Sequence, residues 1–161
     1  MSRVPAALPQ VPAPARSHAL ALVFAGGTMG SGLRATIESA FSESDSSLPW
    51  ATLFVNVSGA ALLGLLTQLV ALRWRDPRGH RLRLALGTGL LGGYTTYSTF
   101  VVESVRLGER DLVAALMYDA ASLTLGFVAA LAAVVAVRSW DRHRPDPGER
   151  PGPPVEEEGL G

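Results

Sequence analysis

The sequence predicts an all-α membrane protein with four transmembrane helices, the third of which is broken near its middle. Hydrophobic residues make up 48% of the 161 residues and charged residues only 17%, a balance that is more apolar than that of most water-soluble domains. Three windows, 50–72, 84–102 and 112–137, contain one charged side chain between them, that of Asp119. Each window is close to the roughly 20 residues that a helix needs to cross the hydrocarbon core of a bilayer.

The two ends of the chain lack the hydrophobic pattern of a folded segment. Residues 1–17 carry four prolines and two arginines without periodicity, and residues 139–161 end in a run rich in proline and glutamate. Such compositions bury too little apolar surface to fold, so we expect both ends to be disordered tails. This leaves residues 18–138 for the four-helix unit.

The first span is the shortest of the four. Residues 19–33 provide 15 uncharged positions, which suffice only if Arg34 snorkels to the interface or faces the protein interior. Glu38 follows Arg34 by one helical turn, which predicts a salt bridge near the membrane edge. A signal peptide is the alternative interpretation, because an apolar run follows two arginines. Small residues spaced four apart, such as Gly26 and Gly30, favour a packed transmembrane helix.

The second span contains a side-chain amide, that of Asn56, about a third of the way along its length. An asparagine amide has two N–H donors and one carbonyl acceptor, all of which need partners in hydrocarbon. We therefore expect Asn56 either to bond to a neighbouring helix or to face a polar path.

The third span is uncharged but poorly suited to a continuous helix. Residues 87–99 include four glycines and several Ser and Thr residues, and each glycine costs about 1 kcal/mol of helix propensity relative to alanine. Backbone that leaves the helix at membrane depth is tolerated only where it is buried in protein or lines a polar cavity. We interpret residues 92–98 as a break in a transmembrane helix at a functional site.

The fourth span carries a polar stripe of Tyr118, Ser122 and Gly126, spaced four residues apart and so on one helical face. Asp119 lies beside this stripe, and an aspartate at a helix centre would cost about 2.5 to 3.5 kcal/mol on an insertion scale. Because Asp119 lies nearer the end of the span, we expect it to reach an aqueous vestibule or an arginine.

The arginines are distributed unevenly between the two membrane sides. Only Arg106 and Arg110 lie in the loop after the third span. The positive-inside rule therefore places both termini and the loop 73–83 in the cytoplasm. Ten of the arginines on that predicted cytoplasmic side are Arg3, Arg16, Arg73, Arg75, Arg78, Arg81, Arg83, Arg138, Arg142 and Arg144.

Several function classes lack support in the sequence. A formal net charge of zero argues against nucleic acid as a partner. The chain has no cysteine, and His18, His80 and His143 all fall in tails or loops. No nucleophile, base and acid in a catalytic arrangement and no metal-ligand spacing is visible, so the sequence does not predict an enzyme.

Four stretches together resemble the signature regions of the Fluc/CrcB fluoride channels. They are GGTMGSGLR at 26–34, TLFVNVSG at 52–59, GTGLLGGYTTYSTF at 87–100, and the polar stripe at 118–126. The third stretch is specific and the fourth is loose. The resemblance extends from about residue 20 to residue 136 in the expected order.

This resemblance implies a four-span subunit of an antiparallel dimer in the bacterial inner or plasma membrane, through which fluoride leaves the cytoplasm passively by two pores. It also implies a structural Na⁺ at the centre of the dimer interface, held by main-chain carbonyl groups. By position these are the carbonyls of Gly92 and Thr95. Sodium is a hard cation that favours oxygen ligands, and a helix break supplies carbonyl oxygens.

The resemblance also assigns an anion path, in which the aromatic pair corresponds to Tyr97 and Phe100. Aromatic ring edges are electropositive, so they stabilise a partly dehydrated anion without a formal charge that would trap it. Hydroxyl and amide groups would replace lost water. The residues predicted to line the path are Arg34, Asn56, Thr96, Tyr97, Ser98, Phe100, Tyr118 and Ser122.

Two residues depart from the family pattern: Tyr97, where the family usually has Phe, and Asp119 beside the anion path. The arginine bias leads to a further hypothesis, that the chain inserts in one orientation and forms a heterodimer with a paralogous chain of opposite bias. The alternative functions are a small multidrug-type four-helix transporter and a non-conducting membrane subunit of a heterodimer.

Overall fold

The computed structural model describes residues 16–41, 48–74 and 76–143, and the regular structure in these ranges is helical. Helix α1 spans Arg16–Phe41, α2 Trp50–Arg73 and α3 Pro77–Leu82. A π-helix, Arg83–Leu91, follows, and then come α4 (Gly92–Tyr94), α5 (Ser98–Gly108) and α6 (Leu112–Arg142). Helices α1, α2 and α6 are long and apolar enough to cross a membrane. The prediction of an all-helical membrane protein is thereby confirmed at this level.

The described helices extend into both predicted tails. Helix α1 already includes Arg16 and Ser17, and α6 continues through residues 139–142. Helix α1 thus begins two residues before the predicted boundary at residue 18, and α6 ends four residues after the one at residue 138. The rest of the predicted tails, residues 1–15 and 144–161, and the loop residues 42–47 lie outside the described part of the chain.

Helix α1 packs against the segment that contains the π-helix and α4 through backbone-to-backbone contacts at glycines. A Cβ atom at Gly26 would collide with the Ala85 carbonyl oxygen, and one at Gly30 with the Leu90 carbonyl oxygen. Glycine permits this close approach because it has no side chain. Since α1 is packed within the bundle, the structure favours a transmembrane helix over a signal peptide here.

The contacts between helices define their directions. Helices α2 and α6 run parallel, because Gly64 lies against Ala130 and the Arg73 guanidinium lies 5.2 Å from the Trp140 ring centroid. The chain from 83 to 108, called the third segment here, runs antiparallel to α2. Gly59 lies against Thr95 and Tyr94, whereas the later Leu63 and Leu66 lie against the earlier Gly87.

The ends of the helices therefore separate the charges. The start of α1, the end of α2, the start of the third segment and the end of α6 lie together, and we call this the basic end. Helix α3 lies between α2 and the third segment at this end. Its N-cap residue Asp76 accepts hydrogen bonds from the backbone N–H groups of Arg78 and Gly79, and Pro77 suits the first helical position. The described arginines at the basic end are Arg16, Arg73, Arg78, Arg81, Arg83, Arg138 and Arg142.

The backbone of the third segment is not helical from residue 95 to residue 97. Thr95 has φ −77° and ψ 156°, an extended conformation that ends α4, and Ser98 begins α5. Preceding this interruption is the π-helix, whose i→i+5 bonding is rare and occurs often at functional sites. The glycines of this stretch explain why regular α-helix is weakly favoured there.

Two small clusters of buried side chains lie on either side of the interruption. One consists of Val55, Leu91 and Tyr94. The other consists of Leu107, Ala115 and Tyr118, with the partly buried Phe100 packed against it. Many large apolar side chains are exposed, including Phe24, Leu123 and Phe127, as expected for helices that face lipid or another membrane chain.

Candidate functional site

The interruption in the third segment is held by a side-chain amide from α2. Asn56 Nδ2 donates to the Thr96 carbonyl oxygen at 2.8 Å, and the Thr96 backbone N–H donates to Asn56 Oδ1 at 2.9 Å. Asn56 thus pairs with both backbone groups of one residue that has left the helix. This satisfies the extended backbone at 96 and leaves one Asn56 N–H for another acceptor.

The Thr96 side chain caps the helix that follows the interruption. Its Oγ1 accepts from the Thr99 backbone N–H at 3.1 Å and donates to Thr99 Oγ1 at 3.0 Å. A threonine oxygen that bonds the third backbone N–H after it forms the usual N-terminal capping interaction of helices. The Thr-rich sequence therefore both ends one helical stretch and starts the next.

Beside the interruption lies an open groove of about 370 Å³. It brings together Asn56 from α2, Thr96, Tyr97 and Phe100 from the third segment, and Ser122 from α6, all of which were predicted to line the anion path. Thr95 also lines the groove. The unpredicted lining residues are Leu123, Gly126 and Phe127.

Three aromatic rings form a row of successive contacts, of which Tyr97 and Phe100 line the groove and Tyr118 does not. The ring centroids of Tyr97 and Phe100 are 6.3 Å apart at an interplanar angle of 34°, and those of Phe100 and Tyr118 are 5.7 Å apart at 30°. Tyr97 is 79% exposed and Tyr118 only 6%. The row therefore leads from the surface of the subunit into its interior.

At the buried end of this row, polar atoms are enclosed without hydrogen-bond partners among the described residues. They include Tyr118 Oη and Ser122 Oγ of α6. Thr52 Oγ1 and Glu103 Oε2 are also among them, and these two side chains lie beside each other without hydrogen-bond geometry. Buried polar atoms of this kind are normally satisfied, so they indicate a place for water or an ion.

Sequence reasoning missed Thr52 and Glu103. The available signal was that Glu103 is the first charge after the uncharged window 84–102 and follows Phe100 by three residues, which puts both on one helical face. It also missed the hydrogen bond of 2.8 Å between Ser58 Oγ and the hydroxyl of the buried Tyr94.

Three predicted path residues, namely Arg34, Ser98 and Tyr118, do not line the groove. Arg34 forms the ion pair with Glu38 that the sequence predicted, with Nε and Oε1 4.0 Å apart. Ser98 is exposed, and its Oγ lies 3.4 Å from Thr96 Oγ1. Their assignment to the anion path stays a prediction.

Residues 21–134 match the family model described as CrcB-like protein, Camphor Resistance (CrcB). The chain belongs to the CrcB family. The resemblance seen in the sequence is thus confirmed, and with its apolar helices this CrcB protein is a multi-pass membrane protein. CrcB is a family of channels rather than enzymes, as the lack of a catalytic arrangement predicted.

Several relatives of this CrcB protein carry a functional name. The fluoride-specific ion channel FluC 1 of Nitrobacter hamburgensis is 42% identical over 118 residues, which are 72% of this chain and 92% of the relative. FluC 1 of Mycobacterium tuberculosis is 43% identical over 122 residues, 74% of this chain and 89% of the relative. FluC of Rhizobium johnstonii is 39% identical over 120 residues, 73% and 94% respectively.

The structure gives Asp119 of this CrcB protein a partner that the sequence did not predict. Its Oδ1 accepts a hydrogen bond of 2.5 Å from the Ser104 hydroxyl, and the expectation that Asp119 reaches a vestibule or an arginine stays a prediction. The bond joins α6 to α5, and Asp119 does not line the groove. The partner of Asp119 is thus the Ser104 hydroxyl. The sequence could not reveal this pair, because it depends on how the loop between α5 and α6 aligns the two helices.

Proposed function

We propose that this CrcB protein is a subunit of a fluoride channel that lets fluoride leave the cytoplasm passively. The observation that carries the proposal is the groove itself. A helix interruption, the Asn56 amide and two predicted aromatic residues meet there, in a chain whose relatives at 36–43% identity are named fluoride-specific ion channels.

The chemistry of the groove suits a small anion. Its polar groups are amide and hydroxyl groups, together with the ring edges of Tyr97 and Phe100, all of which are neutral. Neutral donors and electropositive ring edges replace part of the hydration shell of fluoride, but none holds the ion as firmly as a buried arginine would. Serial weak sites are what conduction requires.

The third segment would add a fourth membrane span to the three formed by α1, α2 and α6. Its uncharged window 84–102 packs antiparallel to α2 and parallel to α1, which supports a path across the same membrane thickness as these neighbours. A non-helical stretch at this depth is acceptable because Asn56 and Thr96 bond its backbone and because it lines a polar groove.

The groove is open on one side, and the 79% exposure of Tyr97 leaves the ring at the surface of the subunit. A second subunit in antiparallel orientation would close this side and create two equivalent pores. The same contact would place the interruptions of both subunits close together. Each chain would then contribute two carbonyl oxygens, those of Gly92 and Thr95, to a Na⁺ at the interface.

The two carbonyls fit such a cation. In a continuous helix the Thr96 N–H would bond to the Gly92 carbonyl and the Thr99 N–H to the Thr95 carbonyl, but both N–H groups bond side chains instead. Among the described residues, neither carbonyl accepts another backbone hydrogen bond. Uncommitted carbonyl oxygens at a helix end are suitable ligands for a hard cation, which when bound would join the subunits.

The charges favour a single orientation with both termini in the cytoplasm. Seven described arginines lie at the basic end, whereas Arg106 and Arg110 lie at the other end with Glu109 and Asp111. A chain with this bias inserts mainly one way, so its antiparallel partner would be a paralogous chain of opposite bias. A multidrug-type transporter is less well supported, because the carboxylate within α6, Asp119, bonds Ser104 outside the groove.

The test is fluoride efflux from liposomes, recorded with a fluoride electrode for this chain alone and for this chain with a paralogous partner. Efflux in either sample that falls roughly tenfold in Phe100→Leu, the kinetic equivalent of about 1.4 kcal/mol, supports the proposal. Phe24→Leu is the matched control, because Phe24 is exposed on α1 and does not line the groove. Vesicles that retain fluoride in every pairing would contradict it and would favour a non-conducting subunit.

A further inference from the structure

We propose that Asn56 is a positioning residue for the sodium site, which it prepares from a distance by fixing the peptide group between Thr95 and Thr96. The inference rests on the proposed function, since the sodium site is part of it. It assigns Asn56 a second task besides lining the groove.

The first step concerns the Gly92 carbonyl. The N–H that a regular helix would direct to this oxygen belongs to Thr96, and it donates to Asn56 Oδ1 at 2.9 Å. The second bond, from Asn56 Nδ2 to the Thr96 carbonyl at 2.8 Å, makes the capture bidentate. Asn56 therefore withdraws the normal donor from one predicted cation ligand.

The second step concerns the direction of the Thr95 carbonyl. The Thr95 carbonyl and the Thr96 N–H belong to the same peptide group, and none of the peptide bonds between described residues is cis. In a planar trans peptide the C=O and N–H point in opposite directions. Because the N–H points at Asn56, the Thr95 oxygen points away from α2.

The third step keeps that oxygen available. The Thr99 N–H, which would bond to the Thr95 carbonyl in a continuous helix, is held by Thr96 Oγ1 at 3.1 Å. Thr95 is further fixed because its N–H and its Oγ1 both donate to the Leu91 carbonyl, at 3.0 Å and 2.9 Å. The side chains of Asn56 and Thr96 thus keep backbone donors away from the carbonyls of Gly92 and Thr95, and Asn56 also sets the direction of the Thr95 carbonyl.

This arrangement predicts that the anion groove and the cation site are linked through one amide. A variant without the amide would let the third segment relax toward helical bonding, and the two carbonyls would regain their backbone donors. Loss of Na⁺ affinity should then accompany any loss of conduction, whereas a residue that only lines the groove would leave Na⁺ affinity unchanged.

The experiment measures Na⁺ binding apart from transport. The full-length chain, with whichever partner efflux requires, is purified in detergent, and its thermal unfolding midpoint is titrated with NaCl against N-methyl-D-glucamine chloride. Asn56→Leu should weaken the apparent Na⁺ affinity by about tenfold or more, the usual effect of removing a group that orients metal ligands. Ser58→Ala is the control, because it removes the Ser58–Tyr94 bond between the same two elements and should leave the Na⁺ response intact.

A second pair of variants keeps the test decisive if Asn56→Leu does not fold. Thr96→Val removes the Oγ1 that holds the Thr99 N–H and should weaken the Na⁺ response, whereas Thr96→Ser retains the oxygen and should keep it. Wild-type Na⁺ affinity in both Asn56→Leu and Thr96→Val would overturn the inference. A wild-type protein that conducts fluoride but shows no Na⁺-specific stabilisation would also overturn it, while leaving the proposed fluoride conduction in place.

Discussion

Asp119 on α6 accepts a hydrogen bond from Ser104 on α5, and this bond joins the two helices that follow the interruption. A partly buried carboxylate that loses its donor costs about 1–3 kcal/mol or more. Ser104→Ala should therefore lower the unfolding free energy by at least that amount, measured by denaturant titration in micelles. Ser39→Ala is the control, because its exposed hydroxyl bonds only to the Thr36 carbonyl of its own helix, and an equal loss in both variants would contradict the role of Asp119.

Tyr97 should act through its ring rather than its hydroxyl. The ring is 79% exposed and begins the aromatic row with Phe100, so its edge would meet the ion where a second subunit closes the groove. We expect Tyr97→Phe to conduct fluoride at least as fast as the wild type, and Tyr97→Leu to reduce efflux by roughly tenfold, or about 1.4 kcal/mol. Equal efflux rates in the two variants would show that the ring edge does not contribute.

Two neighbouring glycines of α1 should respond oppositely to the same change. A Cβ at Gly30 would meet the Leu90 carbonyl and the Tyr94 backbone nitrogen, whereas one at Gly32 would meet nothing within 4 Å. Gly30→Ala should destabilise the protein by about 1–3 kcal/mol through overpacking. Gly32→Ala should be neutral or stabilise it by up to about 1 kcal/mol through helix propensity. Unfolding midpoints in micelles would measure both, and a stable Gly30→Ala variant would argue against the close α1 packing.

The orientation hypothesis predicts a gain of function. Arg78, Arg81 and Arg83 are exposed at the basic end, and replacing all three with alanine should reduce the bias that fixes insertion. The variant should then insert in both orientations, which tags on the termini would report, and it should conduct fluoride without a partner. A wild-type chain that already inserts equally in both orientations would contradict the hypothesis of one-way insertion.

Much of the helical plan could be predicted from the sequence, because charge-free windows and glycine density are local properties. The windows 50–72 and 112–137 lie within α2 and α6. Residues 95–97 are not helical, while a break within a transmembrane span stays a prediction. The ends of the helices were harder to predict from charge-free windows, because α1 and α6 continue into polar sequence without a break in the helix.

The contacts of the site were harder to predict, because they join residues far apart in the chain. Sequence reasoning placed Asn56 and Thr96 in one path, but their paired hydrogen bonds depend on how α2 crosses the third segment. The proximity of Thr52 and Glu103 has the same origin. Ser104 was not recognised as the partner of Asp119, because the sequence offers several hydroxyl groups and arginines that could equally well bond to a carboxylate.

The pairing of Asn56 with Thr96 has a consequence for speed. The oxygen and one N–H of the Asn56 amide already bond to the Thr96 backbone. Only one N–H is left to donate to a partly dehydrated fluoride ion. One neutral contact of about 1 kcal/mol delays an ion only briefly. Asn56 therefore holds the lining of the groove in place through Thr96 and, with one free N–H, binds a passing fluoride only weakly.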